Sequence, residues 1–183
     1  VDVLFGALAQ AWPNRIPAAS GGSMNNILFG GTRTDGSPFI HYETLACGAG
    51  ASSEGPGADG VHTHMTNTLN TPIEQLEREF PVRILCYELR TPDKSNPSEY
   101  RGGRGIRRKY EFLSPAEVTI ISERRETAPY GMNGGSEGQR GLNWLKRKNQ
   151  PKEILPAKTT VVVQPKDQII VETPGGGAYK PAG

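Results

Sequence analysis

Glycine and proline interrupt this chain so often that long helices have little room to form. Of 183 residues, 23 are glycine and 15 proline, about twice the usual share, and such punctuation marks turns between short elements. Runs of β-branched residues lie between the breaks, which sets the chain apart from a disordered one. The length suits a single lobe with a real core. Basic and acidic residues nearly cancel, 21 against 19, so the composition does not point to a polyanion partner. Cys47 and Cys86 do not make a disulfide framework, and a reduced, cytoplasmic setting is expected. No apolar run approaches the roughly 18–20 residues that span a bilayer, and the first residues show no basic-then-apolar leader pattern.

The residues from Val1 to Trp12 place Leu4, Leu8, Ala11 and Trp12 at helical spacing, and Pro13 stops the pattern. Without an initial methionine, this reads as a helix already under way in a piece of a longer polypeptide. Asn26 to Gly30 and Pro38 to Glu43 read as strands around a tight Thr34–Ser37 turn, and Val61 to Met65 as another strand. Thr71 suits an N-cap, Pro72 the first helical position and Glu74 a capping-box acid, with Ile73, Leu76 and Phe80 on one face. Loss of the Thr71 hydroxyl from such a cap costs about 1 kcal/mol. After Pro81 the period becomes that of sheets, with strands expected at Ile84–Leu89, Ile106–Phe112, Val118–Ser122, Thr159–Val163 and Gln168–Thr173. The last two read as a hairpin around Gln164-Pro165-Lys166-Asp167, a type I turn. The expected fold is therefore α+β and β-rich, with mainly antiparallel strands and one or two short helices. Residues 1–80 are mixed and glycine-rich, and residues 81–183 are mostly β.

Chemistry concentrates in Asp59–Glu77, DGVHTHMTNTLNTPIEQLE. On a strand, His62 and His64 face one side and can share a metal, with His41 as a third ligand. No carboxylate or cysteine recurs at ligand spacing, so polar lining or hydrogen-bonded structural roles are the expectation, with no metal bound. Asn67 is less well explained by loop chemistry than Asn70 and Thr71, and can donate to a substrate carbonyl. Arg101-Gly102-Gly103-Arg104-Gly105 offers backbone amides between guanidinium groups, a cradle for an anion, although a turn feeding the next strand explains it equally. It lacks the lysine and Ser/Thr of a P-loop. The basic clusters lack the interleaved exposed aromatics of a nucleic-acid surface, and no G-x-S-x-G elbow supports a serine triad.

An ordered set of segments covers nearly the whole chain: AASGGSMNN, HYETLACGAGA, DGVHTHMTNTLNTPIEQLE, PVRILCYELR, YRGGRGIRRKYEF, SERRETAPYGMNGG and ETPGGGAYKPAG. It resembles the C-terminal part of B-type subunits in the hydantoinase B / 5-oxoprolinase family. The resemblance implies ATP-dependent hydrolysis of cyclic amides, or membership of a related ketone carboxylase. In that scheme an ATP-using A-type subunit, with Mg, activates the substrate, and the B-type part handles the activated species. The same resemblance implies a homo-oligomer of such pairs, with any metal ligands in an N-terminal B-type region not present here. A structural or assembly lobe is the alternative outside catalysis. Two departures stand out: Ala46-Cys47-Gly48 where relatives often read Gly-Gly-Gly, and Lys94–Glu99 where they often carry SGGAG. The expected site residues are His62, His64 and Asn67 for catalysis, with Arg101, Gly102 and Gly103 for substrate or anion binding.

Overall fold

A computed structural model describes residues 1–91 and 96–181. Lys94 and Ser95 of the second departure, and Ala182 and Gly183 of the last family segment, lie outside the described residues. In chain order the elements are α1 (Asp2–Leu8), β1 (Asn25–Thr32), β2 (Pro38–Leu45), α2 (Ile73–Glu79), β3 (Val82–Leu89), β4 (Ile106–Phe112), β5 (Ala116–Ile121), β6 (Leu142–Lys146), β7 (Lys152–Leu155), β8 (Lys158–Val163) and β9 (Gln168–Glu172). The strands form two sheets, ordered β2–β1–β5–β8 and β3–β4–β9–β6–β7, with every pairing antiparallel. The β-rich class with few short helices is what the turn density implied.

Alternation along the strands builds the core. Ile27 and Phe29 of β1, Val118 and Ile120 of β5, and Tyr110 and Phe112 of β4 all point inward and are buried. Phe29 meets Phe112 edge-on across the two layers, with ring centroids 5.5 Å apart, the preferred aromatic geometry. Leu76 anchors α2 and is fully buried.

Three local expectations need correction. The Gln164–Asp167 turn does not close a hairpin: β8 pairs with β5 in the first sheet, while β9 pairs with β4 and β6 in the second. Lys166 has φ +79°, the sign that a type II turn requires at its third residue, and such turns splay strands rather than pairing them. The first helix ends at Leu8 and does not bury its apolar stripe. Leu4 is 68% exposed, Trp12 58%, and the buried residue of α1 is Asp2. In α2 the N-cap is Pro72, and no side chain caps the helix. The Thr71 N–H instead donates to Glu43 Oε2 at 3.1 Å. Thr71→Ala is therefore expected to change stability by less than about 0.5 kcal/mol, not the ~1 kcal/mol of a lost cap, a difference that urea midpoints resolve.

The glycine-rich segments form a layer of their own outside both sheets. Extended stretches at 18–22, 47–60, 100–105, 130–141 and 173–180 lie side by side and exchange backbone hydrogen bonds. The Gly176 N–H donates to Gly103 O (2.8 Å), Gly103 N–H to Ala49 O (2.8 Å), and Gly177 N–H to Ala19 O (2.8 Å). Gly135 and Gly138 turn the same side to the 173–180 stretch: a Cβ there would lie 2.4 Å from Ala178 O and 2.3 Å from Gly176 O. Side chains would hold these backbones apart, and glycine lets them touch.

Candidate functional site

His64 lines an open cleft beside α1, but not as part of a strand. Val61 makes one isolated bridge to Cys47, then the chain turns, with Thr66 N–H donating to Thr63 O at 3.1 Å. His64 adopts φ +58°, a left-handed conformation uncommon for a non-glycine residue, and such departures gather at functional sites. Its ring packs edge-on against Phe5 of α1, centroids 5.5 Å apart. His64 Nε2 lies 2.7 Å from Asp2 Oδ1 and 2.8 Å from Ser20 Oγ. The other Asp2 oxygen accepts from Arg124 Nη2 at 2.9 Å, and Tyr130 Oη–H donates to the Asp2 carbonyl at 2.7 Å. These contacts explain why α1 buries an acid rather than an apolar stripe.

The arrangement has a definite chemistry. A carboxylate held by an arginine accepts hydrogen bonds and cannot give them, so the hydrogen shared with Asp2 sits on His64 Nε2. The Ser20 hydroxyl oxygen meets that same nitrogen. In a Ser–His–Asp triad the serine and the acid engage opposite ring nitrogens; here they share one, so Ser20 is not an activated nucleophile. Nδ1 is left as the basic nitrogen of a neutral His64. The cleft encloses about 460 Å³, and Thr63, Thr66, Ser23 and Glu123 add polar groups to its wall beside Met24 and Met65.

The other expected site residues are distributed differently. His62 Nδ1 lies 3.4 Å from Thr68 Oγ1, its Nε2 is buried without a partner, and it does not line the cleft; Asn67 is exposed and does not line it either. The two imidazoles thus serve different neighbours, and the shared-metal geometry that a strand would have imposed does not arise. Among the described residues no group of three or more His, Cys, Asp or Glu side chains is placed to hold a metal. His41 is buried between Phe29 and Phe80, centroids 4.9 and 4.8 Å away.

Arg101, Gly102 and Gly103 line a second, smaller cavity of about 70 Å³ with Glu99, Ser136 and Gln139. Asp59 engages both arginines: Arg101 Nη1 and Nη2 reach its two oxygens at 2.7 and 3.2 Å, and Arg104 adds its backbone N–H at 2.7 Å and Nε at 2.9 Å. Burial pushes the Asp59 carboxyl up, but these bonds outweigh it and hold the group well below the usual carboxylate range. The Gly103 amide donates to the Ala49 carbonyl, and Asp59 is the carboxylate that both arginines hold.

A third cluster holds the His64 loop from below. Glu43 Oε1 accepts from Tyr110 Oη at 2.7 Å, and Oε2 from Arg108 Nη1 at 3.1 Å and the Thr71 amide. Arg108 Nη2 also donates to the Thr71 carbonyl at 2.6 Å. Burial raises the Glu43 carboxyl, but these donors and the nearby His41 bring it below its ordinary value. A carboxyl whose folded pKa is depressed contributes stability above its unfolded value, near 4, that is lost as pH falls through the folded one. Glu43 and Asp59 share that sign, so the urea midpoint is expected to be flat from pH 7 to about 5 and to drop steadily below about 4.

Ser20, Asp2 and Arg124 escaped the sequence reading because nothing in their spacing links them to His64: they lie 44, 62 and 60 residues away. Arg124 sat in a basic pair that resembled a solvated face, and Asp2 in a helix whose apolar stripe drew attention elsewhere.

Residues 1–181 match the family model described as hydantoinase B/oxoprolinase. The chain belongs to this family. A protein of undescribed role from Methanocaldococcus jannaschii is 46% identical across 98% of this chain and 31% of its own length. The 5-oxoprolinase 1 of Arabidopsis thaliana is 40% identical across 88% of this chain and 12% of its own. Among solved structures, the ATP-dependent caprolactamase from Pseudomonas jessenii superposes with a TM-score of 0.74 at 27% identity, over 96% of this chain and 32% of that one. This hydantoinase B-family chain therefore spans less than a third of each of these relatives. No helix among its described residues is long and apolar enough to cross a membrane.

Proposed function

We propose that this chain forms part of an ATP-dependent hydrolase of cyclic amides, of the hydantoinase or 5-oxoprolinase type, working with an ATP-using A-type subunit. The observation that carries the reading is the structural likeness to an ATP-dependent caprolactamase over 96% of this chain, joined by the identity to a 5-oxoprolinase. Opening a ring amide replaces a C–N bond by a C–O bond from water, and the departing nitrogen must gain a proton. An imidazole titrates near working pH and suits such a transfer. His64, with Nε2 tied to Asp2 and Nδ1 free, is the residue placed for it, and the hydroxyls of Thr63 and Thr66 stand beside it to orient the ring carbonyl. ATP and Mg belong to the A-type partner in this scheme, and the working unit is an oligomer of such pairs in the cytoplasm. His62 and Asn67 are assigned to shaping the loop that presents His64.

The test is turnover in the assembled complex with lactam or hydantoin substrates and ATP. His64→Asn, which tolerates the left-handed backbone, is expected to lower kcat about 100-fold with assembly intact. Asp2→Asn should shift the pH profile, because the acceptor-only carboxylate that fixes the His64 tautomer becomes a neutral amide that also donates. Unchanged kcat in both variants would remove His64 from the chemistry.

A further inference from the structure

The basic pair Arg124-Arg125 divides its contacts. Arg124 reaches Asp2, whereas Arg125 is largely buried and bridges the two sheets. Its Nη1 donates to Asn25 Oδ1 on β1 at 2.5 Å and to the Glu123 carbonyl at 2.7 Å, and its Nη2 to Asn143 Oδ1 on β6 at 2.7 Å. Both asparagines are buried. Asn143 is held with its oxygen towards Arg125, because its Nδ2 donates to Ser122 Oγ (3.1 Å) and the Pro156 carbonyl (3.2 Å). No carboxylate among the described residues pairs with Arg125, and Glu123 turns to Lys158 at 3.0 Å. The Arg125 Nε is buried without a partner, and burial with the nearby Arg90 pushes the guanidinium down to about 10. A charge kept from water on neutral acceptors costs stability that an apolar side chain would not, so filling the seam between the sheets does not account for it.

What this fork holds lies directly against the His64 site. Arg124 has φ +58°, the same left-handed value as His64, and the chain is fixed on both sides of it. Arg125 grips the Glu123 carbonyl, and the Gly141 N–H donates to the Arg124 carbonyl at 2.9 Å. The Arg124 side chain then runs over Gly22, where a Cβ would lie 3.0 Å from its Cγ and 3.1 Å from its Nε, and ends on Asp2 Oδ2. A continuous path thus leads from both sheets through Arg125 to the carboxylate that holds His64 Nε2. We infer that Arg125 is a positioning residue of the His64 site, whose planar fork fixes the left-handed turn that delivers Arg124 to Asp2. Lysine offers a point charge on a flexible stem and does not reproduce that fork. The inference rests on the proposed role of His64, and its test reads geometry as well as turnover.

The test uses the full-length chain in its assembled complex. Arg125→Lys is expected to lower kcat for a cyclic amide about 10-fold and to leave KM within about threefold, at a temperature where circular dichroism shows it folded. Arg124→Gln should lower kcat similarly. The double variant should fall no further than the lower single one, because Arg125 acts through Arg124. Amide exchange in Arg125→Lys should speed at least about 10-fold in residues 20–25 and 61–66 and stay unchanged in β4 and β9. Arg147→Gln unties Asp167 at the opposite end of the sheets; as the control it should lose stability but keep kcat within about twofold. If Arg125→Lys does not fold, Asn25→Ala, which keeps the guanidinium and removes one acceptor, should show the same pattern with kcat down about threefold. Unchanged kcat, additive losses in the double variant, or exchange that speeds evenly along the chain would each overturn the inference. A wild-type complex that opens no cyclic amide would count against the proposed function instead, and the exchange pattern alone would then decide whether Arg125 sets the His64 geometry.

Discussion

Gly176→Ala is expected to remove a large part of the protein's stability, about 3–9 kcal/mol. A Cβ at residue 176 would stand 1.9 Å from the Ala49 carbonyl oxygen and 2.7 Å from the Gly50 nitrogen, and backbone atoms cannot swing aside as side-chain ends do. Relief requires separating the 173–180 stretch from 47–60, which also breaks the bond from Gly176 N–H to Gly103 O and leaves buried backbone groups unpaired. Overpacking alone costs about 1–3 kcal/mol, and each stranded polar group about 1–3 more. With the Gly176 N–H and the Gly103 carbonyl both stranded the sum is about 3–9 kcal/mol, comparable with a marginal domain stability of about 5–15 kcal/mol. Gly36→Ala is the control: nothing lies within 4 Å of its Cβ, but its φ is +85°, so it should lose only about 1 kcal/mol. Thermal unfolding of the two variants side by side separates crowding from backbone strain.

Arg108→Met should destabilise the protein by about 3–5 kcal/mol, the cost of removing one partner from a buried ion pair. Arg108 is fully buried, Glu43 nearly so, and without the guanidinium the carboxylate keeps Tyr110, the Thr71 amide and the nearby His41 ring but no permanent counter-charge. Pairing Arg108→Met with Glu43→Gln should recover much of the loss, since a neutral amide needs no counter-charge. A double-mutant cycle in urea measures the coupling, expected at 0.5–3 kcal/mol. Because Arg108 also holds the Thr71 carbonyl, the single variant should loosen residues 61–71 and speed amide exchange there.

Elements governed by local pattern were legible in the amino-acid order. β4 begins and ends at the residues its alternation marked, and β1, β2, β3, β5, β8 and β9 differ by one or two at most ends. β6 and β7 were missed because Leu142–Lys146 and Lys152–Leu155 are short and carry charges in a basic stretch. Val61–Met65 looked like a strand from its composition, yet positive φ at Gly60 and His64 breaks the ladder there, a preference that histidine does not announce. His64 was legible as a candidate. Its partners were not, because Asp2, Ser20 and Arg124 reach it through tertiary packing, and the same distance hid Asp59 beneath the arginines of the RGGR loop.

The sheet change at Gln164–Asp167 has a kinetic consequence. Only β1–β2 and β6–β7 are closed by short connections; β1 must find β5 more than 80 residues on, and β4 must find β9 more than 50 residues on. With β9 between β4 and β6, the second sheet stays in two halves until the last strand arrives, and the same turn delivers β8 to the first. High contact order of this kind slows folding to milliseconds or seconds. The two layers should therefore appear together, in one concerted phase gated by residues 158–172.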